Sequence, residues 1–123
     1  MNNIVLGDVK IENLIYEIRG KQVMLDSDLA RLYGCANGTK DINKAVKRNS
    51  ERFPENFMFR LNNEEWSVLR FQSGTSNEKG GRRYKPFVFT EQGVAMLSSV
   101  IHTDVAIKAS IKIMDAFVAM NRS

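Results

Sequence analysis

The spacing of apolar residues changes period several times along the chain, and each change predicts an element. Residues 11–18, IENLIYEI, and 21–25, KQVML, are rich in large apolar residues and flank Arg19-Gly20. A two-residue gap containing glycine predicts a β-hairpin. Periodicity alone also admits a short helix over residues 11–18. Asp26, Ser27 and Asp28 then precede Leu29, Ala30 and Leu32. Such residues satisfy free N–H groups and suit the positive end of the helix dipole, so a helix is expected over about 27–33. Gly34 suits a left-handed C-cap, and CANG reads as a turn. Thr39 is the N-cap candidate of a second helix, which runs to about Asn49. Phe53-Pro54 should stop it.

FMFRL, residues 57–61, reads as a strand. Asn62 and Glu65 have the spacing of a capping box and open a helix carrying Trp66 and Leu69. Residues 72–82 have linker composition. YKPFVF, residues 84–89, reads as a strand that Pro86 either places at an edge or delays. Thr90 caps a helix to about Val100, and Thr103 caps a last one over about 104–120. Strands and helices mix without a βαβ rhythm, so the fold class is α+β.

The segment 26–49 carries the functional signal. Ile42, Ala45, Val46 and Asn49 fall at i, i+3, i+4 and i+7, which makes one buried stripe. The opposite surface holds Lys40, Asn43, Lys44, Lys47 and Arg48. Two short helices with a polar, basic face on the second have the layout of a helix-turn-helix. Asparagine can pair with an adenine edge, and lysine can reach guanine acceptors or phosphates. An ordinary lysine-rich solvent face is the bland alternative. The stretch from Gly34 to Thr39 is longer than the turn of simple units of this kind.

Composition narrows the classes. The chain has 123 residues, enough for one domain with its own core. Mean hydropathy is -0.30, and no apolar run approaches the roughly 18–20 residues of a membrane span. The N-terminus lacks a secretory pattern, and the expected location is the cytoplasm, at the nucleoid when bound to DNA. One cysteine, Cys35, excludes an internal disulfide, and one histidine, His102, argues against a histidine-based hydrolase. Cys35 reads as an unactivated thiol, and His102 as a cap or surface residue. Glu64 and Glu65 are adjacent, so they point apart on a helix and make a poor Mg²⁺ pair. No enzyme activity, cofactor or metal is expected.

The net charge of +4 is unevenly placed. Residues 39–60 hold 6 basic and 3 acidic residues, and residues 70–85 hold 5 and 1. Clustering of one sign is what phosphate binding requires. The second block ends in GGRRYK, where Lys79, Arg82, Arg83 and Lys85 would contact DNA from a wing between the two flanking strands. Phe57, Phe59, Trp66, Phe87 and Phe89 read as core rather than base-stacking platforms, and no aromatic ladder favours RNA.

The segments IYEIRGKQVMLDSDLARLYG, NKAVKRNSERFPENFMFRL, GGRRYKPFVFTEQGVAMLSSVI and IKIMDAFV resemble, in order, the ORF-six N-terminal domain family. That family is related to the KilA-N and Bro-N domains of phages and large DNA viruses. The resemblance covers about residues 11–120 and departs at CANG, where many relatives have a shorter turn. It implies a DNA-binding domain at the front of phage antirepressors or prophage regulators, with a variable C-terminal effector domain, which this chain is expected to lack. The expected organisation is an N-terminal tail, 1–10, and a single winged-helix-like domain, 11–121. That domain would hold the helix-turn-helix, short β-hairpins and two C-terminal helices.

On the last helix Ala106, Ala109, Ile113, Phe117 and Met120 form one apolar stripe, and Ile107, Ile111, Met114 and Val118 an adjacent one. So broad a surface is either buried centrally or packed on another subunit. The second stripe is the expected dimer interface. The expected function is sequence-preferring binding of double-stranded DNA in transcriptional regulation. The alternative is a protein-interaction module that grips a repressor or self-associates through the last helix.

Overall fold

The computed structural model describes residues 10–73 and 85–121. Strands β1 (Ile15–Ile18) and β2 (Lys21–Leu25) form the expected antiparallel hairpin. Both alternatives for residues 11–18 are realised in part, because Ile11–Leu14 form a 3-10 turn before the strand starts. Helix α1 spans Asp26–Leu32. Its N-cap position is Leu25, with no side-chain cap, which corrects the expectation that Asp26, Ser27 and Asp28 cap the start. The expected stop at Gly34 holds. Gly34 has φ of +69°. Its N–H donates to the Arg31 carbonyl at 3.1 Å, and the Cys35 N–H donates to the Ala30 carbonyl at 2.9 Å. These two bonds make a Schellman motif, in which a left-handed glycine satisfies the last carbonyls.

Helix α2 spans Thr39–Arg48. Gly38 holds the N-cap position, so Thr39 lies inside the helix rather than capping it. The helix ends at Asn49, ahead of Phe53-Pro54, and a 3-10 turn at Ser50–Arg52 follows. Strand β3 is only Met58–Arg60, shorter than expected. Helix α3 spans Asn63–Ser73, overrunning the start of the expected linker. Its capping box is formed. The Glu65 N–H donates to Asn62 Oδ1 at 2.8 Å, and the Asn62 N–H donates to Glu65 Oε1 at 2.9 Å.

Strand β4 spans Phe87–Thr90 and begins after Pro86, which lacks an N–H for the ladder. Helix α4 covers Glu91–Ile101, and α5 covers Asp104–Asn121. Thr90 Oγ1 accepts from the Gly93 N–H at 3.3 Å, and Thr103 Oγ1 from the Ala106 N–H at 3.0 Å, so both expected caps are in place. His102 is the left-handed C-cap of α4.

The strands form one antiparallel sheet in the order β1-β2-β4-β3. β4 is therefore interior, and Pro86 delays the strand without placing it at an edge. Strands β3 and β4 pair, yet the chain passes through α3 between them, so they are not a simple hairpin. The register aligns Ile15, Met24, Phe89 and Met58 in one cross-strand row. Leu25, Val88 and Phe59 make a row displaced by one residue, which points to the opposite face. The first row joins a core with Leu29, Leu32, Ile42, Val46, Leu97, Ile113 and Phe117. The second row joins Leu61 and Leu69. Helices α1, α2, α4 and α5 thus cover one face and α3 the other. The fold is α+β and compatible with a small winged-helix-like domain.

Candidate nucleic-acid interface

The α1–α2 pair is held from below. Leu29, Leu32, Ile42 and Val46 share one buried cluster with Phe53, whose ring meets Phe89 edge-on at 6.1 Å. Buried Tyr33, at the end of α1, donates its hydroxyl to the Val94 carbonyl at 3.3 Å. That bond ties the helix pair to α4, and burial pushes the phenol pKa up.

Six residues, 33–38, connect the two helices. The connection is closed by Asp41, whose carboxylate accepts from the Asn37 N–H at 3.1 Å and from Asn37 Nδ2 at 3.2 Å. Those bonds, the backbone one first, hold the Asp41 carboxyl below its ordinary pKa. The longer turn is therefore pinned to the first turn of α2. Cys35 lies half-buried in it, and burial, aided by the Asp41 charge, raises its thiol pKa. A raised pKa keeps the thiol protonated and unreactive at neutral pH.

Ile42 and Val46 are buried, and Ala45 and Asn49 are half-buried beside them. Asn49 Nδ2 donates to the Ala45 carbonyl at 2.9 Å, so its amide is spent on the helix end. Lys40, Asn43, Lys44, Lys47 and Arg48 are all exposed on the other face. Ion pairs between described residues include Arg19–Glu65 and Arg31–Asp28. None of the four α2 cations is in one, so their charge is available to an external anion.

Two residues join this picture that the sequence did not single out as contributors. Arg52 is exposed in the 3-10 turn just after α2 and extends the basic run. Only its place in the +3 block hinted at it. Asp26 is buried and accepts from the Phe87 N–H at 3.2 Å. It ties the start of β4 to the start of α1, and so fixes where the second basic block re-enters the fold. No local pattern carried that signal, because the partners are 61 residues apart.

Of the second block, Lys85 is half-buried directly before Pro86. Lys79, Arg82 and Arg83 lie outside the described residues, as does the expected wing loop. Ile107 and Met114 are half-buried on α5, while Ile111 and Val118 are 58% and 46% exposed. The described residues therefore cover that second stripe only in part: Met114 packs against the core, while Ile111 and Val118 stay open. Among the described residues no group of three or more His, Cys, Asp or Glu is placed to hold a metal ion. None of their helices is long and apolar enough to cross a membrane.

No curated protein and no solved structure matches the chain. The family model of the ORF6N domain matches residues 13–100. That match takes in well over half of the sequence, and the chain belongs to the ORF6N domain family.

Proposed function

We propose that this chain binds double-stranded DNA through the exposed face of α2 and works without cofactor or catalysis as a transcriptional regulator domain of phage or prophage type. ORF6N membership points to a phage-type regulatory domain. The observation that carries the reading further is the face of Lys40, Asn43, Lys44, Lys47 and Arg48, exposed and free of ion pairs among the described residues. Lysine and arginine there would neutralise phosphates and supply most of the affinity. Asn43 and Lys47, four apart, would read base edges and supply sequence preference. Arg82, Arg83, Lys79 and Lys85 would add phosphate contacts from the second basic block. The setting is the cytoplasm of a bacterial host, at its nucleoid.

Fluorescence anisotropy with a labelled duplex tests this. The double substitution Lys44→Glu and Lys47→Glu should lower affinity at least about 100-fold, with an unchanged circular dichroism spectrum. Undiminished DNA binding by that variant would refute the assignment to α2. Absence of duplex binding by the unaltered chain would instead favour the second reading, a module that grips a repressor protein, which the exposed Ile111 and Val118 of α5 support.

A further inference from the structure

The open stripe of α5 has a periodicity of its own. Ile107, Ile111, Met114 and Val118 are spaced four, three and four residues apart. That spacing, which the buried face of Ala106, Ser110, Ile113 and Phe117 shares, lets the stripe serve as an a/d seam against a second helix. The core face lies beside it: Ala106, Ser110, Ile113, Ala116 and Phe117 are buried within the chain, and half-buried Met114 of the stripe packs against that core. Ile111 and Val118 are large apolar side chains left in solvent at the middle and end of an 18-residue helix.

Charge along the seam selects the occupant. Lys108 and Asp115 are exposed, seven residues apart, and flank the stripe on one side. Neither is in an ion pair among the described residues. On the other flank stand Ser110 and Phe117, both buried in the chain's own core. We infer that α5 pairs antiparallel with α5 of a second copy of this chain, about a two-fold axis between Ile111 and Met114. In that register each Ile111 meets the other copy's Met114, and each Ile107 meets its Val118. The flanking positions then bring Lys108 of each copy beside Asp115 of the other, twice over. A parallel pair would face both charges with the buried flank of Ser110 and Phe117 and leave them unmatched. The sequence pattern is therefore self-complementary in one orientation, as an isologous interface requires.

The seam is short. It falls at the small end of specific interfaces, below about 1,200 Å², so association should be concentration-dependent. The inference does not rest on DNA binding and is tested without DNA. If both readings hold, the two-fold axis relates two α2 helices and predicts pseudo-palindromic target sites.

Sedimentation equilibrium of the full chain, from about 5 to about 500 μM, gives the test. The average mass should rise from 14.0 kDa toward twice that value. Ile111→Glu should abolish the rise with the helical circular dichroism signal intact, since the side chain is exposed. Lys108→Asp alone and Asp115→Lys alone should each weaken association about 10-fold. The double exchange should restore it to within about 3-fold of the starting chain. A chain that stays monomeric overturns the inference, even if it captures a different protein through Ile111. Undiminished association of the Ile111→Glu variant, or no rescue by the double exchange, overturns it as well.

Discussion

Arg19 and Gly20 occupy the two central positions of the β1–β2 turn, with φ of +56° and +73°. Both being positive is the mark of a type I′ turn, which matches the twist of a hairpin. Arginine is strained there, at a cost on the order of 1 kcal/mol. Its side chain offsets that cost. Nε and a terminal nitrogen donate to the two oxygens of Glu65 at 2.7 and 3.0 Å, and the guanidinium lies 4.3 Å from the centre of the Phe59 ring. Glu65 thereby closes both the capping box of α3 and the tip of the hairpin. The Arg19 hydrogen bonds, first among the causes, hold its carboxyl below the ordinary glutamate pKa. A depressed carboxylate binds fewer protons folded than unfolded, so its stabilisation is present above the unfolded value of about 4.5 and fades as pH falls through the folded one. Glu65→Gln keeps a capping side chain but loses the charge. Urea midpoints should therefore differ between the two proteins at pH 7 and converge as pH drops below about 4.5 and on through the folded value. A gap that stays constant with pH would assign Glu65 a purely steric role. The turn and the capping box were legible in the sequence because each is local. The fork between them was not, because it spans 46 residues and depends on strand order.

Elements were legible where their signals were local and their boundaries chemical. The Gly34 stop and the Thr90 and Thr103 caps all stand where residue type placed them. Thr39 did not cap α2, because Gly38 takes the non-helical position and Asp41 bonds back to Asn37. α3 runs to Ser73, beyond Leu69, which packs under the sheet, and into the segment whose composition reads as a linker. The face of α2 was fully legible, because an i, i+3, i+4, i+7 stripe fixes its opposite as well. The least legible element contact is at α4. A Cβ built on Gly93 would lie 1.9 Å from the Phe57 carbonyl oxygen. That oxygen is fixed, since it accepts from the Thr90 N–H at 3.0 Å. Gly93→Ala should cost about 3 kcal/mol or more, measured by urea unfolding, although alanine is the better helix former. A loss under about 1 kcal/mol would mean that α4 shifts away freely.

Across the whole molecule, the α+β class was evident from the order of elements, but the layering was not. Nothing in residues 85–90 tells that β4 inserts between β2 and β3, or that α3 alone covers the second face of the sheet. Those features follow from matching the Ile15–Met24–Phe89–Met58 row to one core and the Leu25–Val88–Phe59 row to the other. The charge distribution, in contrast, was readable at once. Two blocks hold the basic excess, and the first of them lies on the exposed side of α2 and in the turn after it. If α2 and the second block grip a duplex together, affinity must be dominated by counterion release. Duplex affinity measured by anisotropy across a salt series is the most direct test. For about five neutralised phosphates, log affinity should fall against log salt with a slope near −4.5. An affinity that ignores salt, or no binding even at low salt, would contradict the account.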